Sequence, residues 1–173
     1  MIFKQWQDVL SGRKTQTRRL VSENHTDDKT LAYDAMEWPD LRCIIPPKKI
    51  SAVFSGVYTG DLRIKWAVGR TYAVQPGRGK KQIARIRLTG IRQEYVQDIT
   101  EADAIAEGIE LPVNVQAAGT LAGAIQFGFD IGLRRDAYAE IWDTIHTNPG
   151  TRWTDNPAVW VLEFELAEAK EDL

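Results

Sequence analysis

The sequence predicts an α+β domain, a small mixed β-barrel with helices packed on its outside. Three observations carry this expectation. Alternating apolar and polar residues recur in four short stretches, helical spacing occurs in only three, and the connections are short Pro- and Gly-containing turns without a β-α-β rhythm. A chain of 173 residues suits one domain, here spanning 1–173. Two stretches stand apart from it: an insertion at about 22–64 and a variable segment at about 112–133. Residues 22–48 contain Pro39, Pro46 and Pro47 and sustain no period, so they read as an irregular insertion or lid.

Trp6, Val9 and Leu10 fall at helical spacing, and Gly12 follows where a left-handed cap is wanted. A short helix over about 4–11 is expected. Residues 50–58 alternate like a strand. Residues 71–75 and 82–89 flank the Pro76–Gly77 turn, with Ala84, Ile86 and Leu88 alternating against Arg85 and Arg87. This predicts a hairpin with one cationic face. Thr100 and Asp103 approximate a capping box, and Gly108 should close the helix that they open, with Glu107 in its last turn. Tyr138, Ile141, Trp142 and Ile145 mark a helix of about three turns, ended by Asn148, Pro149 and Gly150. Trp160, Leu162, Phe164 and Leu166 alternate against Val161, Glu163 and Glu165, which predicts a half-buried closing strand.

Composition narrows the function classes. With 43% hydrophobic and 27% charged residues the chain resembles an ordinary soluble protein, and no apolar run approaches the ~20 residues of a membrane span. A cytoplasmic protein without a membrane partner is expected. Cys43 is the lone cysteine, so an internal disulfide and a Cys-based zinc cluster are excluded, and His25 and His146 lie far apart. No metal and no cofactor are expected. The net charge of -2 hides two blocks. Residues 62–93 hold Arg63, Lys65, Arg70, Arg78, Lys80, Lys81, Arg85, Arg87 and Arg92 without an acid, whereas 94–130 hold seven acids without a Lys or Arg. The blocks fit complementary faces that meet in the fold, or a basic groove for a nucleotide or RNA phosphate.

Straight after the first expected helix lies SGRKTQTRR, residues 11–19, with four cations and three hydroxyls in nine residues. GRKTQTRR resembles the GxKxxExR signature of the ASCH domain, a PUA-like β-barrel, with Gly12, Lys14 and Arg19 in place and Thr17 at the usual Glu. DITEADAIAEGI resembles that family's helix ending in Glu-Gly, and NPAVWVLEFEL its closing strand. The Lys-x-x-Thr pair with the later Glu is similar to the branch that hydrolyses N4-acetylcytidine. The resemblance implies Lys14 as proton acceptor, Thr17 as nucleophile and Glu107 as proton donor. RNA binding and RNA cleavage also occur in the family.

The chemistry stands beside the resemblance. Amide cleavage needs a nucleophile, a base and an acid for the leaving nitrogen. In an N4-acylcytosine that nitrogen belongs to a heteroaromatic amine, a better leaving group than an alkylamine, so no metal is required. Arg19 is expected to bind substrate, Trp66 and Trp153 to stack on a base, Tyr72 and Gln75 to read a pyrimidine edge, and Arg78, Lys80 and Lys81 to meet phosphate. The expected activity is a metal-free amidohydrolase acting on N4-acetylcytidine or related acylated cytosines, with a small nucleoside or nucleobase as its partner. An RNA-binding or RNA-cleaving module is the alternative. Oligomeric state, acyl range and the need for ribose do not follow from the sequence.

Overall fold

The computed structural model describes residues 1–21, 50, 52–55, 63–110 and 133–169. The insertion expected at 22–64 and the variable segment at 112–133 fall largely outside the described residues, as do His25 and Cys43.

The fold is α+β, with a curled antiparallel half-barrel sheet. In chain order its elements are α1 (Trp6–Leu10), β1 (Gln16–Leu20), β2 (Ala52–Ser55), β3 (Arg63–Ala67), β4 (Thr71–Val74), β5 (Ala84–Tyr95), α2 (Glu101–Ala106), α3 (Leu133–Ile145) and β6 (Ala158–Ala169). Four strands form one sheet in the order β1-β6-β5-β4, and β2 pairs with β3. Every pairing is antiparallel. The sequence reading found neither β1 nor β3. QTRRL carries no apolar alternation because most of its side chains are polar, although Gln16, Thr17 and Arg18 are all buried.

Register sorts the sheet into two faces, since residues directly opposite each other share a face. Thr17 lies opposite Leu162 and Arg19 opposite Trp160, on the face that joins Phe3, Val9, Trp66, Ile86, Leu88 and Phe164 in the larger core. Arg18 lies opposite Val161, on the face that packs with Ile99, Ala104, Tyr138 and Trp142 from the helical side. Because both faces are covered, β6 is buried on both sides over 159–162 rather than half-buried.

The strand expected to end at Thr89 continues to Tyr95. Leu88 opposes Phe164, Gly90 opposes Glu163 and Ile91 opposes Leu162, so Thr89 is the extra residue of a bulge. Ala84, Ile86 and Leu88 point into the larger core before it, and Ile91 after it. Arg92 and Glu94 thereby turn to the helical face, and a strict period-two reading loses phase. Gly90 lets the Glu163 carboxylate lie close to the strand, because an added Cβ would stand 2.5 Å from Glu163 Oε2 and push that side chain aside.

Residues 1–3 extend the sheet beyond β4. Ile2 bridges Gln75 in parallel, the Phe3 N–H donates to Gln75 O at 3.0 Å, and Gln75 N–H donates to Met1 O at 2.9 Å. Arg19 reaches this segment from β1, donating to Ile2 O at 2.9 Å with its guanidinium 5.5 Å from the Phe3 ring.

Candidate active site

The end of α2 builds the site. Thr100 accepts from the Asp103 N–H and the Asp103 carboxylate returns to the Thr100 N–H, the reciprocal cap that the sequence suggested. At the other end Gly108 has φ +82, its N–H donates to Ile105 O, and Ile109 N–H donates to Ala104 O. That is a Schellman ending, which leaves the last carbonyls in need of donors from elsewhere. The motif of residues 11–19 supplies them: Thr15 N–H donates to Ala106 O at 2.8 Å, and Lys14 Nζ donates to Glu107 O at 2.6 Å.

The same lysine nitrogen stands 2.5 Å from Glu107 Oε2, and both side chains are buried, at 6% and 4% exposed. The other carboxylate oxygen, Oε1, accepts from Arg18 Nη1 at 3.3 Å. Arg18 has no exposed side-chain surface; it also donates to Gln16 Oε1 at 2.9 Å and to Glu94 Oε1 at 3.0 Å, and pairs with Asp103 Oδ2 at 3.3 Å. Arg92, turned inward by the bulge, pairs with Glu94 at 3.1 Å, Asp103 at 2.7 Å and Glu163. Three cations and four carboxylates thus interlock, which compensates charges that would be costly to bury singly. Burial alone would lower the Arg18 pKa, but Glu107 and Glu94 outweigh it and raise it.

Charge complementarity therefore exists with a different partner. The acidic Glu94, Asp103 and Glu107 meet Lys14 and Arg18 of the N-terminal motif, and Arg92 from the long basic block joins them. Arg13 completes the pattern with Asp8 and Glu110.

Among the residues singled out in the sequence, Lys14 and Glu107 are brought together. Thr17 is 5% exposed and, among the described residues, its hydroxyl makes no hydrogen bond, to that pair or to any other group. Its register places it on the sheet face opposite Arg18. Arg19 ties down residues 2 and 3, as described. Trp66 is buried in the larger core beneath the Lys65 ammonium, 4.7 Å from its ring. The Tyr72 hydroxyl accepts from Ala67 N–H at 2.8 Å, and burial raises its pKa. Gln75 Nε2 donates to Lys80 O at 3.1 Å. Trp153 packs on the helical side, 6.3 Å from the Tyr138 ring and 5.7 Å from the Arg135 guanidinium. Trp66 and Trp153 consequently belong to different core clusters and form no single clamp. Arg78, Lys80 and Lys81 are exposed.

Gln16, Arg18, Arg92, Glu94, Asp103 and Tyr138 join this network or pack against it without having stood out as site residues in the sequence. Part of the signal was available: Lys14, Gln16 and Arg18 alternate as one face of an extended chain, and Asp103 and Glu107 stand four apart on one helix face. An open depression of about 290 Å³ adjoins the network, lined by Thr15, Gln16, Thr89, Ala106, Glu163 and Phe164. It contains none of Lys14, Thr17 and Glu107, although Thr15, Gln16 and Ala106 adjoin them in the chain.

No family model matches the chain, and no curated protein matches it. Among solved structures it is similar to a DUF984 protein from Enterococcus faecalis, at 14% identity over 96% of this chain and 72% of that one, with a TM-score of 0.48. It is also similar to an ASCH domain from Lactobacillus crispatus, at 13% identity over 94% of this chain and 69% of that one, with a TM-score of 0.45. Neither likeness assigns a site or an activity.

Proposed function

We propose that this chain is an ASCH-type amidohydrolase that removes the acyl group from N4-acetylcytidine or a related N4-acylated cytosine without a metal. The observation that supports the reading is the buried contact of 2.5 Å between Lys14 Nζ and Glu107 Oε2, the residues proposed as base and acid. As an ion pair, neither group is ready: the ammonium holds no lone pair, and the carboxylate holds no proton. Transfer of one proton along the contact prepares both, a neutral amine to accept and a carboxylic acid to donate.

In this reaction Thr17 Oγ1 attacks the acyl carbon as its proton passes to Lys14, and the C–N bond breaks as Glu107 protonates the leaving N4 nitrogen. Water then hydrolyses the Thr17 ester to release the carboxylic acid. The Thr17 hydroxyl has no partner to surrender among the described residues. Thr17 lies on the sheet face opposite Arg18, so the reading requires the chain at 15–17 to turn on substrate binding and bring the hydroxyl to the pair; without that movement, water takes its place as the nucleophile. Incubation with N4-acetylcytidine, followed for release of cytidine, tests the proposal. No turnover by folded protein overturns it.

One observation favours a second reading. Arg70, Arg78, Lys80 and Lys81 are all exposed, and none forms an ion pair among the described residues. Such cations suit RNA phosphates, in which case affinity falls steeply with salt. Binding of a single-stranded RNA measured from ~50 to ~200 mM salt tests it, and a flat response excludes it.

A further inference from the structure

Tyr138 on α3 is 6% exposed. Its ring packs 6.0 Å from Trp142 and 6.3 Å from Trp153, and the Arg18 guanidinium lies 5.8 Å from its centroid. Its hydroxyl nonetheless makes no hydrogen bond among the described residues, although every fully enclosed side-chain polar atom there has a partner. The oxygen is therefore not fully enclosed, although the side chain as a whole is buried. Phenylalanine would fill the same ring space without a polar atom to desolvate, so the hydroxyl contributes nothing evident to stability.

Its surroundings supply a reason for it. Arg18 covers the Tyr138 ring and also donates to Glu107, so the phenol and the Lys14–Glu107 pair share one guanidinium. Burial, reinforced by Glu107, pushes the phenol well above its usual range against the opposing pull of Arg18 and Arg19. It stays neutral and keeps its proton, as a hydrogen-bond donor must.

We infer that Tyr138 is a substrate-contacting residue of the Lys14–Glu107 site, donating its phenolic hydrogen to a neutral carbonyl oxygen of an acylated pyrimidine. The inference rests on the amidohydrolase reading. It adds a recognition element that the motif does not contain.

Protein labelled with 3-fluorotyrosine tests this directly, with the Tyr138 resonance identified by its loss in Tyr138→Phe. N4-acetylcytidine should shift that resonance. Tyr138→Phe should lower kcat/KM about 10-fold, the scale of one lost hydrogen bond, while its melting temperature stays level or rises. Turnover with an unchanged kcat/KM in Tyr138→Phe, or a clear fall in melting temperature, overturns the inference and leaves the activity intact. A resonance shift without turnover keeps Tyr138 as a ligand contact and removes the amidohydrolase reading. Neither shift nor turnover removes both.

Discussion

Lys14 Nζ meets Glu107 twice across 93 positions of sequence, donating to its carboxylate at 2.5 Å and to its main-chain oxygen at 2.6 Å. The second contact finishes helix α2, and the first sets a candidate base against a candidate acid. One residue pair thus carries a structural role and a proposed chemical one, and substitutions must separate them.

Lys14→Arg separates them most cleanly. Arginine retains the charge and can still donate to both Glu107 oxygens, but it stays protonated at any workable pH and cannot act as a base. Turnover of N4-acetylcytidine should fall by ~10² or more, while cytidine affinity changes modestly. Near-normal deacylation by a ligand-competent variant would show that the base lies elsewhere.

Glu107→Gln should cut turnover by at least ~10²-fold through loss of the donated proton. A stability cost should accompany it. Breaking a buried pair costs roughly 3–5 kcal/mol, and the lower end applies here because Lys14 keeps the main-chain oxygen and Arg18 keeps Glu94 and Asp103. Denaturant melts measure the second effect and initial rates the first; an unchanged rate would leave Glu107 with only its structural contacts.

Thr17→Val deletes an oxygen that has no partner among the described residues and keeps the branched shape. Its melting temperature should hold or rise slightly while turnover disappears. Substantial activity in this variant would identify water as the nucleophile.

Asp103 predicts a pH dependence of stability. Burial alone would raise its pKa, but Arg18, the Gln16 amide, Arg92 and the Thr100 N–H together lower it from the ordinary 3.8. A carboxyl whose folded pKa is depressed contributes stability above the unfolded value and loses it as pH falls through the folded one. The wild type should therefore weaken steadily below pH ~4, and Asp103→Asn, less stable at neutral pH, should show a shallower acid slope. Parallel slopes in chemical melts from pH 6 to pH 2 would contradict this.

What could be read locally was read well. The Thr100–Asp103 cap, the Gly108 stop and the left-handed Gly12 all depend on residues within a turn of one another, and all occur as expected. The apolar beat of Trp160, Leu162 and Phe164 likewise marked β6. Where a strand gains a residue or hides polar side chains, the same beat fails. Thr89 shifted the phase of β5, and the buried Gln16 and Arg18 left β1 without an apolar signature.

The α+β class, the caps that start and stop the short helices, and the residues of one chemically pointed motif are all legible along the chain. Backbone preference and side-chain periodicity act over a few residues, so they are written locally. Only the tertiary structure decided which charges meet. Because β6 lies between β1 and β5, and α2 packs across that face, Arg18, Glu94, Asp103 and Glu107 converge from 16–20, 84–95 and 101–107. Ion pairing acts through space at a few ångströms and is blind to sequence separation, and burial makes each of those charges depend on the others.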